Sequence, residues 1–244
     1  MNKCCVTARN IQYWFKFQAG KRILEMIQIG LPLLMYEDME HDVNEKLKKI
    51  KSSFRLMMNG VASQSMREKG LGYKINWGVS LPALKSMAAE YGKDSVLAEA
   101  LWHEDIRECK ILATMIMPAE DMDVETARSW MKQISNQEMA EMTAFNLFQY
   151  LAEAKGLALE WISSGNDVEK ICGYNVAGRL FVKGWQMSNE ETDVFFTLVK
   201  SSVCSGNLAV RHAAVNALSR FDESDERVSM MLKTMLDDDD LNNF

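Results

Sequence analysis

With 244 residues, 48% of them hydrophobic and 25% charged, the chain has the balance of a folded soluble protein and the length for one large domain or a repeat array. Its formal net charge of −6 excludes the strongly basic balance of proteins that hold nucleic acid by bulk charge. Three prolines and eighteen methionines imply long, little-interrupted helices with adaptable apolar packing.

The first 38 residues are poorly patterned and carry five basic and three acidic side chains. Their apolar run, Ile23–Tyr36, is broken by Glu25 and Pro32 and lacks a small-residue cleavage site, so it does not read as a secretory signal. No stretch of eighteen uncharged apolar residues is present, which excludes a transmembrane helix. We expect an N-terminal extension over 1–38, the domain proper over 39–236 and an acidic tail over 237–244.

From Asp42 to Asn59, Leu47, Ile50, Phe54 and Met57 or Met58 recur at spacings of three and four, which predicts an amphipathic helix ended by Gly60. A shorter helix follows over Val61–Lys69. The glycine-containing Gly70–Gly78 is expected to be a loop packed by Tyr73 and Trp77. Ser80 caps the next helix, with Pro82 in its first turn and Gly92 at its end.

The most informative segment is Leu97–Ala113, LAEALWHEDIRECKILA. Leu97, Leu101 and Ile106, then Cys109, Ile111 and Leu112, define two amphipathic helices meeting near His103–Glu104. Asp123 caps a helix through Gln133. Ser135-x-x-Glu138 has the form of a capping box opening a long helix with Met139, Met142, Phe145, Leu147, Phe148 and Leu151. Further helices are predicted over Gly156–Ser164, Asp167–Lys183, from a second capping box at Ser188-x-x-Glu191, over Leu208–Phe221 and over Glu226–Leu236.

One helix pair cannot bury its own apolar stripe and must stack on copies of itself. Second helices start near 104, 137, 166 and 207, an irregular period of about 30 to 40 residues, close to that of helical repeats. The expected fold is therefore all-α: a right-handed α-solenoid of HEAT-like antiparallel helix pairs.

The five cysteines form no C-x-x-C pair, and the three histidines are far apart, so neither a disulfide framework nor a metal site is expected. No cofactor is implied. A cytoplasmic location follows from the free thiols and the lack of a signal or membrane span. Residues 221–244 hold two basic and eight acidic side chains, leaving 39–220 at −2. The tail reads as a solvated end, with a DNA-mimicking or autoinhibitory role as the alternative.

The words LW…RE-KILA at Leu101–Ala113, with Leu147–Phe148 and then Trp161-x-x-Ser164, resemble the DNA alkylation repair family over most of 40–221. The resemblance implies HEAT-like repeats whose second helices cradle duplex DNA, and active members that excise N3- and N7-alkylated purines. An alkylated purine is already cationic and leaves readily. Such an enzyme holds the duplex and stabilises an oxocarbenium-like sugar with a carboxylate and aromatic faces.

The family motif is a tryptophan followed four residues later by an aspartate. Counted back from Leu147–Phe148, these positions hold Gln137 and Glu141. The family's arginine falls at Ile171, and a further tryptophan falls at Asn216. The resemblance thus implies a surviving carboxylate, Glu141, without its aromatic cage or its arginine. A solvated acidic residue on an exposed face is the competing reading of Glu141.

Lys170, Arg179, Lys183, Arg211 and Arg220 lie on second-helix segments and are the candidate DNA-backbone strip, with solvated surface as the alternative. Trp161 is expected to pack between repeats and His212 to fill space between helices. Three functions fit: a protein that binds double-stranded DNA weakly with reduced or lost glycosylase activity; a working alkylpurine glycosylase using Glu141 and non-homologous aromatics; or a scaffold for a protein partner. No nucleotide-binding, hydrolase or metalloprotease motif competes.

Overall fold

The computed structural model describes residues 33–221 together with Val228 and Met230. The helix expected over Glu226–Leu236 and the tail 237–244 lie outside that range, apart from those two residues, which are helical. The described chain is helical, with one isolated parallel bridge between Ile75 and Ile106. We number the helices α1 (Leu33–Leu56), α2 (Gly60–Glu68), α3 (Leu81–Tyr91), α4 (Ser95–Trp102), α5 (Arg107–Ile116), α6 (Val124–Lys132), α7 (Gln137–Asn146), α8 (Ala154–Ile162), α9 (Asp167–Val182), α10 (Asn189–Val203) and α11 (Leu208–Leu218). The helix expected from Asp42 thus begins at Leu33, ahead of position 38.

Local chemistry sets most boundaries. Asn59, Ser80, Asp94, Asp123, Asn166 and Asn207 each accept a backbone N–H of the following first turn. Ser188 and Glu191 form the expected reciprocal capping box. The other expected box does not form. Asn136 caps α7, its Oδ1 accepting from Met139 N–H at 2.9 Å, and Glu138 turns instead toward Arg107.

That diversion has a physical cause. Arg107 is 2% exposed, so its guanidinium must be paired inside the protein. Its Nη2 lies 2.6 Å from Glu138 Oε1, its Nε 2.9 Å from Glu138 Oε2, and its Nη1 donates to Val79 O and Glu108 Oε1. The Tyr73 hydroxyl donates to Glu138 Oε2 at 2.7 Å. Burial pushes the Glu138 carboxyl up, but the bonds from Arg107 and Tyr73 outweigh it and hold the group below the usual carboxylate range. Glu108, fully buried, accepts the N–H groups of Trp77 and Val79. The Gly70–Gly78 loop is therefore pinned to α5 and α7 by charge as well as by its aromatic residues.

The helices pair as expected of an α-solenoid. α4 packs on α5, α8 on α9 and α10 on α11, while α3, α5, α7, α9 and α11 each touch the next in an inner row. The second helices start at 107, 137, 167 and 208, a regular step except for the last. Between α8 and α9 the backbones approach so closely that a Cβ on Gly173 would lie 2.8 Å from Ala158 O, so that position takes only glycine. Trp102 and Trp130 stack at 4.1 Å with Lys110 over the former. Phe181, Phe195 and Phe221 close the far end as an aromatic cluster, and Tyr174 donates to Ser202 Oγ at 2.8 Å.

α9 is buried around most of its circumference, through Ile171, Cys172, Tyr174, Val176, Ala177, Leu180 and Phe181, because α7, α8 and α11 all pack on it. Its neighbour α11 runs in register with it. Asn207 Nδ2 donates to Asp167 Oδ2 at 2.9 Å at their starts, and Gly178 meets Ala217 near their ends.

Candidate nucleic-acid interface

Glu141, Met142 and Phe145 on α7 and Asn175 and Arg179 on α9 line one open groove. The i, i+4 spacing of each set puts its residues on one helix face. Gln137 Nε2 donates to Glu141 Oε1 at 2.7 Å, which fixes the half-buried carboxylate along α7. Asn175 Nδ2 is engaged by Ile171 O at 2.8 Å.

The groove has an aromatic centre. Phe145 is 38% exposed and so points out of the core. The Arg179 guanidinium lies 4.5 Å from its ring centroid and Lys85 Nζ 5.9 Å. One turn further along α9, Lys183 Nζ lies 3.9 Å from the ring centroid of exposed Tyr150. Partial burial, with Arg179 nearby, lowers the Lys183 pKa from its ordinary value. Arg179 sits in the last turn of α9 and Lys183 at its C-cap, where the helix dipole favours cations.

The five basic candidates do not form a single strip. Arg179 and Lys183 share a face of α9, and Arg220 reaches the same end, its Nη1 3.6 Å from where a Cβ on Gly178 would sit. Lys170 is nine residues before Arg179, hence about 13 Å back along the helix and half a turn around it. Arg211, near the start of α11, shares the Lys170 end because the two helices run in register. Ile171, expected at the position of the family's arginine, is buried in the core. Asn216 is exposed and its carbonyl accepts from Arg220. Trp161 packs between repeats on Phe148 at 4.9 Å, whereas His212 lies exposed instead of filling space between helices.

Sequence reasoning missed Phe145, Tyr150 and Lys85. The available signal was the four-residue step from Glu141 to Phe145, which places ring and carboxylate on one face. Lys85 gave no signal, since its proximity comes from packing between helices distant in sequence.

An inner row of stacked helices, with cations set around an exposed ring, defines an α-solenoid with a cation-bearing groove. The sequence match places it more narrowly. The family model described as DNA alkylation repair enzyme matches residues 50–228, and the chain belongs to that family. Its fold is also that of a solved structure from "a new family of proteins related to the HEAT-like repeat DNA glycosylases with affinity for branched DNA structures". The two superpose with a TM-score of 0.64 at 17% identity, over 71% of this chain and 74% of that one. No curated protein sequence matches the chain. Among the described residues, no helix is long and apolar enough to cross a membrane.

Proposed function

We propose that the protein binds DNA, weakly and with preference for branched over plain duplex forms, and that alkylpurine excision is reduced or lost. Arg179, Lys183 and Arg220, with Lys85, contact phosphates, and Glu141 is the remaining carboxylate. The observation that carries this reading is the occupation of the Phe145 ring by Arg179 and Lys85 beside Glu141. An excising site needs an aromatic face open to a developing cationic sugar. Here two protein cations already lie over that ring and repel such a sugar, whereas a phosphate gains from both. Four cations at and beside the groove against one carboxylate also favour a polyanion over a neutral protein partner. The affinity of the structural relative for branched DNA supports the choice of ligand.

A second reading is excision by Glu141 with Phe145 as a non-homologous aromatic. It is favoured by their placement in one groove, since a phosphate that drew Arg179 away would uncover the ring. Both readings are tested by measuring affinity for a duplex and for a junction with the same arms, alongside release of 7-methylguanine from methylated duplex. Junction binding without release supports the first reading. Release abolished by Glu141→Gln supports the second.

A further inference from the structure

The turn between α1 and α2 exposes apolar side chains that no core contact explains. Leu56 is 89% exposed, Met58 62% and Val61 83%, with Met57 beside them at 37%. Single exposed apolar residues are common, but four within six positions form a patch. The turn carrying them is rigid. Asn59 N–H donates to Trp77 O at 2.8 Å, Asn59 Oδ1 caps α2, and Ser63 Oγ donates to Asn76 O at 2.8 Å. Gly78, at φ +72°, packs so tightly beneath the turn that a Cβ there would lie 2.2 Å from Asn59 O. The tip is thus held in place by a loop that is itself pinned to Glu108 and Glu138.

The segment that carries the tip is basic. Residues 41–75 hold eight Lys or Arg and three Asp or Glu, in a chain whose net charge is −6. Lys46, Lys49, Lys51 and Lys74 pair with carboxylates. Lys48, Arg55, Arg67 and Lys69 form no ion pair among the described residues, and all four are exposed. Lys48 and Arg55, two turns apart, share one face of α1, and Arg55 lies over the Trp77 ring at 5.7 Å.

An exposed apolar tip between two helices that carry cations without carboxylate partners fits stacked bases flanked by phosphates. Leu and Met are side chains that wedge between base steps, at the cost of unstacking them. At a branch point the stack is already interrupted, so most of that cost is absent. Resting on the DNA-binding reading above, we propose that the α1–α2 turn is a wedge that enters the branch point of a DNA junction. Leu56, Met58 and Val61 cover the open faces of the terminal base pairs, and Lys48, Arg55, Arg67 and Lys69 hold the arms. The preference for branched DNA then resides in this turn, whereas the groove at Arg179 supplies affinity for any duplex.

The test compares the full chain with its L56S/M58S/V61S variant on a three-way junction and on a duplex with the same arm sequence. A 2-aminopurine at the branch point reports unstacking. The wild-type protein should prefer the junction and raise the fluorescence. The variant should lose about tenfold in junction affinity, keep its duplex affinity and melting temperature, and leave the fluorescence unchanged. K48E/R55E should weaken junction binding more than duplex binding. Unaltered junction preference in the serine variant overturns the proposal. So does a wild-type dimer that becomes monomeric in the variant, because the patch then covers a second copy. If R179A/K183A abolishes duplex binding while the serine variant keeps the junction preference, the groove reading stands and the wedge alone fails. Absence of wild-type binding to either DNA removes both.

Discussion

The salt dependence of duplex binding is the sharpest test of the groove. Lys85, Arg179, Lys183 and Arg220 converge on the inner row, two of them over Phe145 and one over Tyr150. If each neutralises one phosphate, log Kobs should fall against log salt with a slope of about −3.6, so affinity drops about 150-fold between 50 and 200 mM. R179A/K183A removes two of the four, leaving a slope of about −1.8 and a drop of about 12-fold over the same range. K170A/R211A removes cations at the opposite ends of α9 and α11 and should leave the slope unchanged. The measurement is fluorescence anisotropy of a labelled duplex at five or six KCl concentrations. A slope unaffected by R179A/K183A, or one halved by K170A/R211A, would refute the placement of the site at the α9 C-terminus.

Base release from methylated duplex should lie at least about 100-fold below that of a relative with its aromatic cage intact, the typical cost of one lost transition-state contact. Glu141→Gln should then change nothing measurable. Glu138→Gln strips Arg107 of its main partner and should cost about 3 kcal/mol at pH 7, read as a melting temperature lower by about 6–12 °C. Because the Glu138 carboxyl is held below its ordinary value of 4.5, its contribution is complete above that pH and is lost as pH falls through the folded-state value. The gap between wild type and Glu138→Gln in urea denaturation should therefore narrow on acidification, and a constant gap would count against the ion pair. Gly78→Ala must place a Cβ against a backbone carbonyl at positive φ and should destabilise by at least about 2 kcal/mol in the same assay.

Helix positions, caps and the repeating pair were legible in the sequence because they depend on neighbours within one or two turns. Ser188 with Glu191, Asp94, Asp123 and the apolar steps of Leu97–Ala113 each act on the chain beside them, and the family words sit in the same segments. The exception shows the limit of local reading. Ser135-x-x-Glu138 has the form of a cap, but a buried guanidinium from α5 outcompetes the local backbone for the carboxylate.

The sequence by itself determined that this chain is an α-solenoid of the DNA alkylation repair family, and it singled out Glu141 as the candidate carboxylate. Only the tertiary structure decided what surrounds it. Phe145 carries the same apolar signal as Met139 and Met142, and its outward direction follows from where α9 comes to lie against α7. Lys85, sixty positions earlier, reaches that ring because α3, α5 and α7 stack side by side. Lys170 and Arg179 separate because nine residues turn a helix two and a half times. The unpaired cations and bare Leu56, Met58 and Val61 of the first turn stand out only once the neighbouring lysines have found their carboxylates. Helical periodicity is a property of adjacent residues, whereas a charged groove or an exposed tip is set by the stacking of helices that the chain brings together from far apart.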